Sequence, residues 1–271
     1  MFIGYEMYRA YELKNLFFED DYDFQKLRDS GLKQYEKVKN QIKTNIKSFI
    51  LTNGHLDGTQ MQNNWFPQID ADVFISHSHN DEPLAIAFSQ WLNEKFGIKA
   101  FVDSCIWGNA NDLLKKIDTD YCRPDKINKP NSYSYELRNY STSHIQMMLS
   151  TALSMMIDKT ECIIFLNTPN SVVDGVFSIT KSPWIYSEIV MTKLIRQRPI
   201  SDYRNRAAME SLNEDYKCFS AKAKLTIEYA LSKEHLRPLT CSDLNKWQIN
   251  GWEYEYPLDN LYKITSNNKK I

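Results

Sequence analysis

The clearest periodicity in the chain runs from Ile145 to Ile157, where Ile145, Met148, Leu149, Ala152, Leu153, Met156 and Ile157 recur at steps of three and four. That spacing writes one apolar stripe along a helix, and Ser141, Thr142 or Ser143 is placed to cap its start. Three shorter apolar runs surround it. DVFIS at 72–76, IKAFVD at 98–103 and CIIFLN at 162–167 have the length and the β-branched or aromatic content of buried strands. Helices are predicted between them. After the first strand, Leu84, Phe88, Trp91 and Leu92 form an apolar face, with Asn80 or Asp81 at the cap, Pro83 in the first turn and Gly97 at the end. Ser182 and Pro183 open another helix over 183–196. Strand and helix alternating in this order predict an α/β fold: a parallel sheet with helices on both faces.

The flanks read differently. Residues 1–52 look helical, with Tyr35, Val38, Ile42, Ile46, Phe49 and Ile50 on one stripe. Lys33, Lys37, Lys39, Lys43 and Lys47 fall largely off that stripe and read as a solvated face. TNGHLDGTQ at 52–60 reads as a connection with turns, and Trp65, Phe66 and Pro67 as the packing that joins the helical segment to the first strand. The expected division is therefore a helical N-terminal extension over 1–69 and an α/β domain over 70–271. Within the second, SCIWGNANDLL after the second strand is a loop or a loop opening into a short helix. An irregular insertion is expected near 119–140, and TPNSVVDGVFSITK after the third strand is a loop. A charged helix near 203–219, a fourth strand at 224–231 and a short helix in PLDNLYKI make a C-terminal elaboration.

Composition removes several classes of function. Net charge is −1, so no basic field points to nucleic acid. The five cysteines are odd in number and form no CxxC pair, which favours reduced thiols in a cytosol. No run approaches the roughly 18 apolar residues of a membrane span, and the first fifteen residues lack the apolar core of a secretory signal. A soluble, cytoplasmic protein is expected. Neither GxGxxG nor GxxxxGK[ST] nor GxSxG occurs, so the common dinucleotide, P-loop and serine-hydrolase fingerprints are not written here.

Two segments remain that carry chemistry: ADVFISHSHND at 71–81 and SPWIYSEI at 182–189. The first is a strand ending in a polar loop, and the second a helix start with one carboxylate, Glu188. Strand-end loops facing such a helix form the ligand crevice of open α/β sheets. DVFISHSHND, AFVD and SPWIYSE, in that order, make residues 70–196 resemble a Toll/interleukin-receptor (TIR) domain, in particular a bacterial TIR-like protein with an N-terminal helical extension. The resemblance implies a flavodoxin-like sheet. It also implies NAD as substrate, without a further cofactor, and cleavage of the nicotinamide–ribose bond by a hydrolase or cyclase of antiviral defence signalling. By the motif match Glu188 is the catalytic carboxylate. Ser76, His77, Ser78 and His79 lie where relatives contact the dinucleotide, with Asp103, Trp107 and Trp184 beside them. Some relatives carry arginines in the loop after the first strand; this chain has none there, which leaves the phosphate contacts unassigned.

The chemistry is intelligible on its own terms. Nicotinamide leaves as a neutral ring from a cationic one, so a carboxylate that stabilises an oxocarbenium-like state suffices, without a general acid. Trp184 and Glu188 stand four apart and share a helix face. Read from pattern alone, Glu188 is an ordinary solvated glutamate. Trp107 reads equally as a packing residue, and Tyr133 and Tyr135 as candidates to line a pocket.

Two other functions fit the same residues. A non-catalytic TIR module would assemble with itself or with a partner TIR domain through the loop after Asp103 and the insertion 119–140. Alternatively, His77, His79 and Asp81 spell HxHxD, the start of a metallohydrolase motif, with His144 and His235 downstream. Against the latter, position 82 is glutamate where that motif has histidine, and the glycine turns of a β-rich sandwich are missing.

Overall fold

The computed structural model describes residues 9–39, 46–52, 55–107, 110–123, 132–173, 178–195, 203, 229–230, 233–250 and 254–266. Five strands make its central sheet: β1 (Arg9–Lys14), β2 (Val73–Ser76), β3 (Ala100–Phe101), β4 (Cys162–Asn167) and, last in the chain, β7 (Arg237–Leu239). Their order is β3-β2-β4-β1-β7 and every pairing is parallel. Two further short strands, β5 (Ile179–Thr180) and β6 (Tyr229–Ala230), form a separate antiparallel ribbon. Nine helices accompany them among the described residues. They are α1 (Asp21–Lys39), α2 (Gly58–Trp65), α3 (Glu82–Phe96), α4 (Asp103–Ile106), α5 (Ala110–Tyr121), α6 (Tyr135–Lys159), α7 (Pro183–Leu194), α8 (Cys241–Asn250) and α9 (Pro257–Ser266). The expected α/β class is present: an all-parallel sheet flanked by helices, an arrangement consistent with a flavodoxin-like fold.

Alternation along the strands divides the core in two, because successive side chains leave opposite faces of a sheet. Tyr11, Leu13, Val73, Ile75, Cys162, Ile164 and Leu166 point to one face and meet Phe88 and Leu92 of α3, Trp247 of α8 and Leu261 of α9. Phe74, Ile163 and Phe165 point to the other and meet Trp65 of α2, Ile117 of α5, Leu153 of α6 and Ile185 of α7. All six residues of β4 are buried, which accounts for the unbroken apolar run in its sequence. Helix α9 is fastened at the amino-terminal edge of the sheet by hydroxyls. Tyr262 donates to Glu161 at 2.9 Å, and the Tyr11 and Thr265 hydroxyls lie 2.8 Å apart.

The N-terminal segment departs from expectation. Residues 9–14, read as part of a helical stretch, form β1, which pairs with β4 on one side and β7 on the other. The alternation of Tyr11 and Leu13 with Ala10 and Glu12 is the strand signal. A glutamate in mid-strand masks it. Glu12 tolerates that place because Lys233 Nζ lies 2.7 Å from it and Asn167 donates to it at 2.7 Å. The helical reading holds for α1, and Ile46–Phe49 is a single 3-10 turn. The connection 52–60 contains the start of α2, where Asp57 accepts from the Gln60 amide.

Other boundaries move for local reasons. Helix α6 starts at Tyr135, six residues before Ser141, because Ser134 is its cap and accepts from the Leu137 amide. The insertion 119–140 is therefore helical at both ends, with 124–131 outside the described residues. The segment after β3 is α4 followed by α5, more helix than its sequence indicated. In the fourth expected strand, Tyr229–Ala230 belong to the ribbon with β5, not to the main sheet. The expected helix at 203–219 lies, except for Tyr203, outside the described residues. Gly97 ends α3 as predicted, at φ 68°, a backbone region disfavoured for side chains with a Cβ.

Because β1 is an inner strand, removing residues 1–14 is expected to abolish cooperative folding. Thermal unfolding followed by circular dichroism checks this: a truncated chain melting within a few degrees of the full one would overturn the placement of β1.

Candidate functional site

Helix α3 leaves β2 toward one face of the sheet, and the chain after β4 returns as α7 on the other. Between the carboxyl ends of β2 and β4 the connections diverge, which is where open α/β sheets leave a crevice. Helix α7 starts there because Ser182 caps it, accepting from the Ile185 amide at 3.3 Å, and Pro183 fits its first turn. Its buried residues, Ile185, Glu188, Ile189 and Thr192, follow the three-and-four spacing of a core stripe. Glu188 thus takes a position that packing alone would give to an apolar residue. It is 3% exposed, which excludes its being a solvated surface glutamate.

Its partner is the last residue of β2. Ser76, itself fully buried, donates its hydroxyl to Glu188 Oε2 at 2.5 Å. Burial pushes the Glu188 carboxyl well above the ordinary carboxylate range, and like-charge repulsion from Asp103 pushes it the same way; the Ser76 hydrogen bond opposes both without cancelling them. A carboxyl so placed gains when positive charge arrives beside it. The site is therefore suited to a cation, or to a centre that becomes one.

The next residue, His77, leaves the strand end in a different direction. Its Nδ1 lies 3.2 Å from the Ile75 carbonyl oxygen, and its Nε2 lies 3.1 Å from Ser104 Oγ in α4. A carbonyl oxygen only accepts, so in the neutral ring Nδ1 carries the hydrogen and Nε2 accepts from the serine hydroxyl. Asp103 Oδ1 stands 3.8 Å from Nδ1, beyond direct hydrogen-bond distance.

Asp81 holds the two loops together. Its Oδ2 accepts from Thr168 at 2.5 Å and its Oδ1 from Asn170 at 2.7 Å, so the loop after β2 is bonded to the loop after β4. Asp81 does stand at the start of α3, but its side chain makes no capping bond there, since both oxygens are already engaged. Thr168 and Asn170, in the turn TPNS, were not singled out by sequence, and neither was Ser104. The available signal was weak: small polar residues just beyond the end of a strand.

The remaining expected residues fall in several places. Ser78 is buried and begins a 3-10 turn, whereas His79 is exposed. Trp184 is partly buried against the core, one turn before Glu188. Trp107 is not free to meet a ligand. It is 5% exposed, its ring packs edge-on against Phe66 and Phe101, and its indole N–H donates to the Pro67 carbonyl. Tyr133 is held by Arg123, just before the cap of α6. The HxHxD residues do not converge: His77 is bonded to Ile75 and Ser104, His79 faces outward, and Asp81 is engaged by Thr168 and Asn170. His144 packs on Tyr140, and His235 Nε2 lies 2.6 Å from Thr192 Oγ1. Among the described residues no group of three metal-ligating side chains gathers, and no helix is long and apolar enough to cross a membrane.

Compared with protein-family models, curated proteins and solved structures, the chain has no match.

The raised Glu188 carboxyl makes a stability prediction. Between the ordinary glutamate range and its folded value, the native state keeps a proton that the unfolded chain releases, so stability declines as pH rises, by up to about 1.4 kcal/mol per pH unit. Glu188→Gln lacks this loss. The variant is expected to melt above the wild type at pH 8 and to converge with it near pH 4.5. Parallel melting curves at both pH values would refute the buried, proton-retaining carboxyl.

Proposed function

We propose that this protein is a TIR-like enzyme that cleaves the nicotinamide–ribose bond of NAD, with Glu188 as the catalytic carboxylate. The observation that carries this reading is the buried Glu188, hydrogen-bonded to Ser76 at the carboxyl end of β2. Both residues lie in the two segments whose sequence resembles the TIR family. The chemistry agrees with the electrostatics. The nicotinamide ring is cationic, and the ribose becomes cationic as the ring departs, so positive charge faces Glu188 throughout. Binding of such a substrate restores the ionised carboxylate that burial disfavours. Asp103 adds a second negative charge to the same surroundings. Trp184, a turn earlier on α7 and only partly buried, offers an aromatic ring to the same reading. A role in bacterial antiviral signalling, in the cytoplasm, rests on the resemblance alone.

The test is nicotinamide release from NAD by the purified full chain, followed by chromatography in dilute and in crowded solution. Glu188→Ala is expected to lower release by at least about a hundredfold. The acid limb of kcat/KM is expected above the ordinary glutamate range, because the free enzyme must give up the Glu188 proton before it binds a cation. Release that survives Glu188→Ala in a folded protein would dismiss this reading.

A second reading, assembly through a TIR-like surface, has one specific feature in its favour. Tyr135, Leu137 and Tyr140, in the first turns of α6, are 58%, 44% and 68% exposed and lie within the expected recognition segment 119–140. The loop after Asp103, by contrast, puts Cys105, Ile106 and Trp107 into the core. If α6 mediates self-association, Tyr140→Glu lowers the sedimentation coefficient of the concentrated protein; an unchanged profile would remove α6 from the interface.

A further inference from the structure

Two adjacent residues at the end of β2 hold two different chemistries. Ser76 reaches α7 and holds the Glu188 carboxylate. His77 reaches α4 and holds the Ser104 hydroxyl, 3.1 Å from its Nε2. Asp103 ties the two pairs to one place: it stands 3.8 Å from His77 Nδ1, and its charge also acts on Glu188. His77 is fixed as a base rather than left to rotate. Its side chain is 2% exposed, and the Ile75 carbonyl takes the Nδ1 hydrogen, which leaves the Nε2 lone pair aimed at Ser104 Oγ. Asp103, at 3.8 Å, offsets the charge that appears on the ring when it accepts a proton. A hydroxyl hydrogen-bonded to an oriented, carboxylate-flanked imidazole is the arrangement of an activated oxygen nucleophile or of a proton relay.

The surroundings decide which electrophile such a pair serves. Acyl transfer builds a negative oxyanion, and the Glu188 and Asp103 carboxylates oppose one. Attack on a cationic carbon is favoured by the same charges. We infer that Ser104 and His77 deliver the water that captures the ribosyl cation, making hydrolysis to ADP-ribose, not cyclisation, the main outcome. This rests on the reading of the crevice as an NAD-cleaving site. In the step, the C1′–N bond breaks with its electron pair leaving on nicotinamide, and a water oxygen bonds to C1′. The water gives a proton to Ser104 Oγ as Ser104 gives its own to His77 Nε2, and the imidazolium returns that proton to solvent. The balance is NAD plus water giving ADP-ribose, nicotinamide and one proton. Ser104 touches the reacting water, and His77 acts through it as a positioning residue.

The experiment measures the ratio of ADP-ribose to cyclic product when the full chain in crowded solution meets NAD. Wild type, Ser104→Ala, Ser104→Thr, His77→Asn and Glu188→Gln are compared. A ratio is chosen because partial unfolding lowers both products alike. ADP-ribose is expected to dominate for the wild type, and the ratio to fall at least about tenfold in Ser104→Ala and His77→Asn. In Ser104→Thr, which keeps the hydroxyl, it is expected to stay within about threefold of the wild type. Since Ser104 is partly exposed, Ser104→Ala decides the matter even if His77→Asn fails to fold. A ratio unmoved by Ser104→Ala, or a wild type that makes only cyclic product, overturns this inference while leaving Glu188-dependent cleavage standing. Absence of Glu188-dependent nicotinamide release overturns both.

Discussion

Strand β4 is buried along its whole length, and most of the structure depends on that. A strand covered on both faces needs helices on both sides and a neighbour along each edge to use its backbone hydrogen bonds. Strand β2 supplies one neighbour and β1 the other, drawing residues from the far N-terminus into the middle of the sheet. The helices divide accordingly, α3, α8 and α9 on one side and α2, α5, α6 and α7 on the other. Polar side chains are left few places except the ends of the strands.

At the carboxyl ends they gather into linked pairs. Ser76 with Glu188, His77 with Ser104, Asp81 with Thr168 and Asn170, and Glu12 with Asn167 and Lys233 all lie there. A row of register partners runs across the sheet from Ser76 through Phe165 to Glu12, so these groups are spaced by the strands themselves. Holding polar groups on rigid strand ends limits their motion. That is a precondition for a site in which position, more than flexibility, sets the chemistry.

The cost of such a site is visible in Glu188. An isoleucine or leucine at that point of the α7 stripe would pack with Ile185 and Ile189 and need no hydrogen bond. The chain instead keeps a buried carboxyl whose ionisation is disfavoured by burial and by Asp103. Stability given up at a buried carboxyl in such a stripe is characteristic of sites where charge is used.

Sequence by itself determined the alternation of strand and helix from Val73 to Leu194 and the caps at Ser182 and Gly97. Those features are local: they rest on side-chain period, on φ preference and on residues a few positions apart. Glu188 stood out only through the motif resemblance, since its spacing alone reads as a solvated glutamate. Strand β1 was not legible, since Glu12 interrupts its pattern and its partners Lys233 and Asn167 lie more than a hundred residues away. The same holds for Asp81, which reads as a helix cap until Thr168 and Asn170 are brought to it. Ser104 has no sequence signal of its own and meets His77 only because β2 and β3 pair in parallel and end side by side. Trp107 went the other way, into the core between Phe66 and Phe101. Periodicity states which residues are buried together along one element. Which polar groups meet across elements is settled by tertiary packing, because a hydrogen bond depends on distances that the order of residues does not encode.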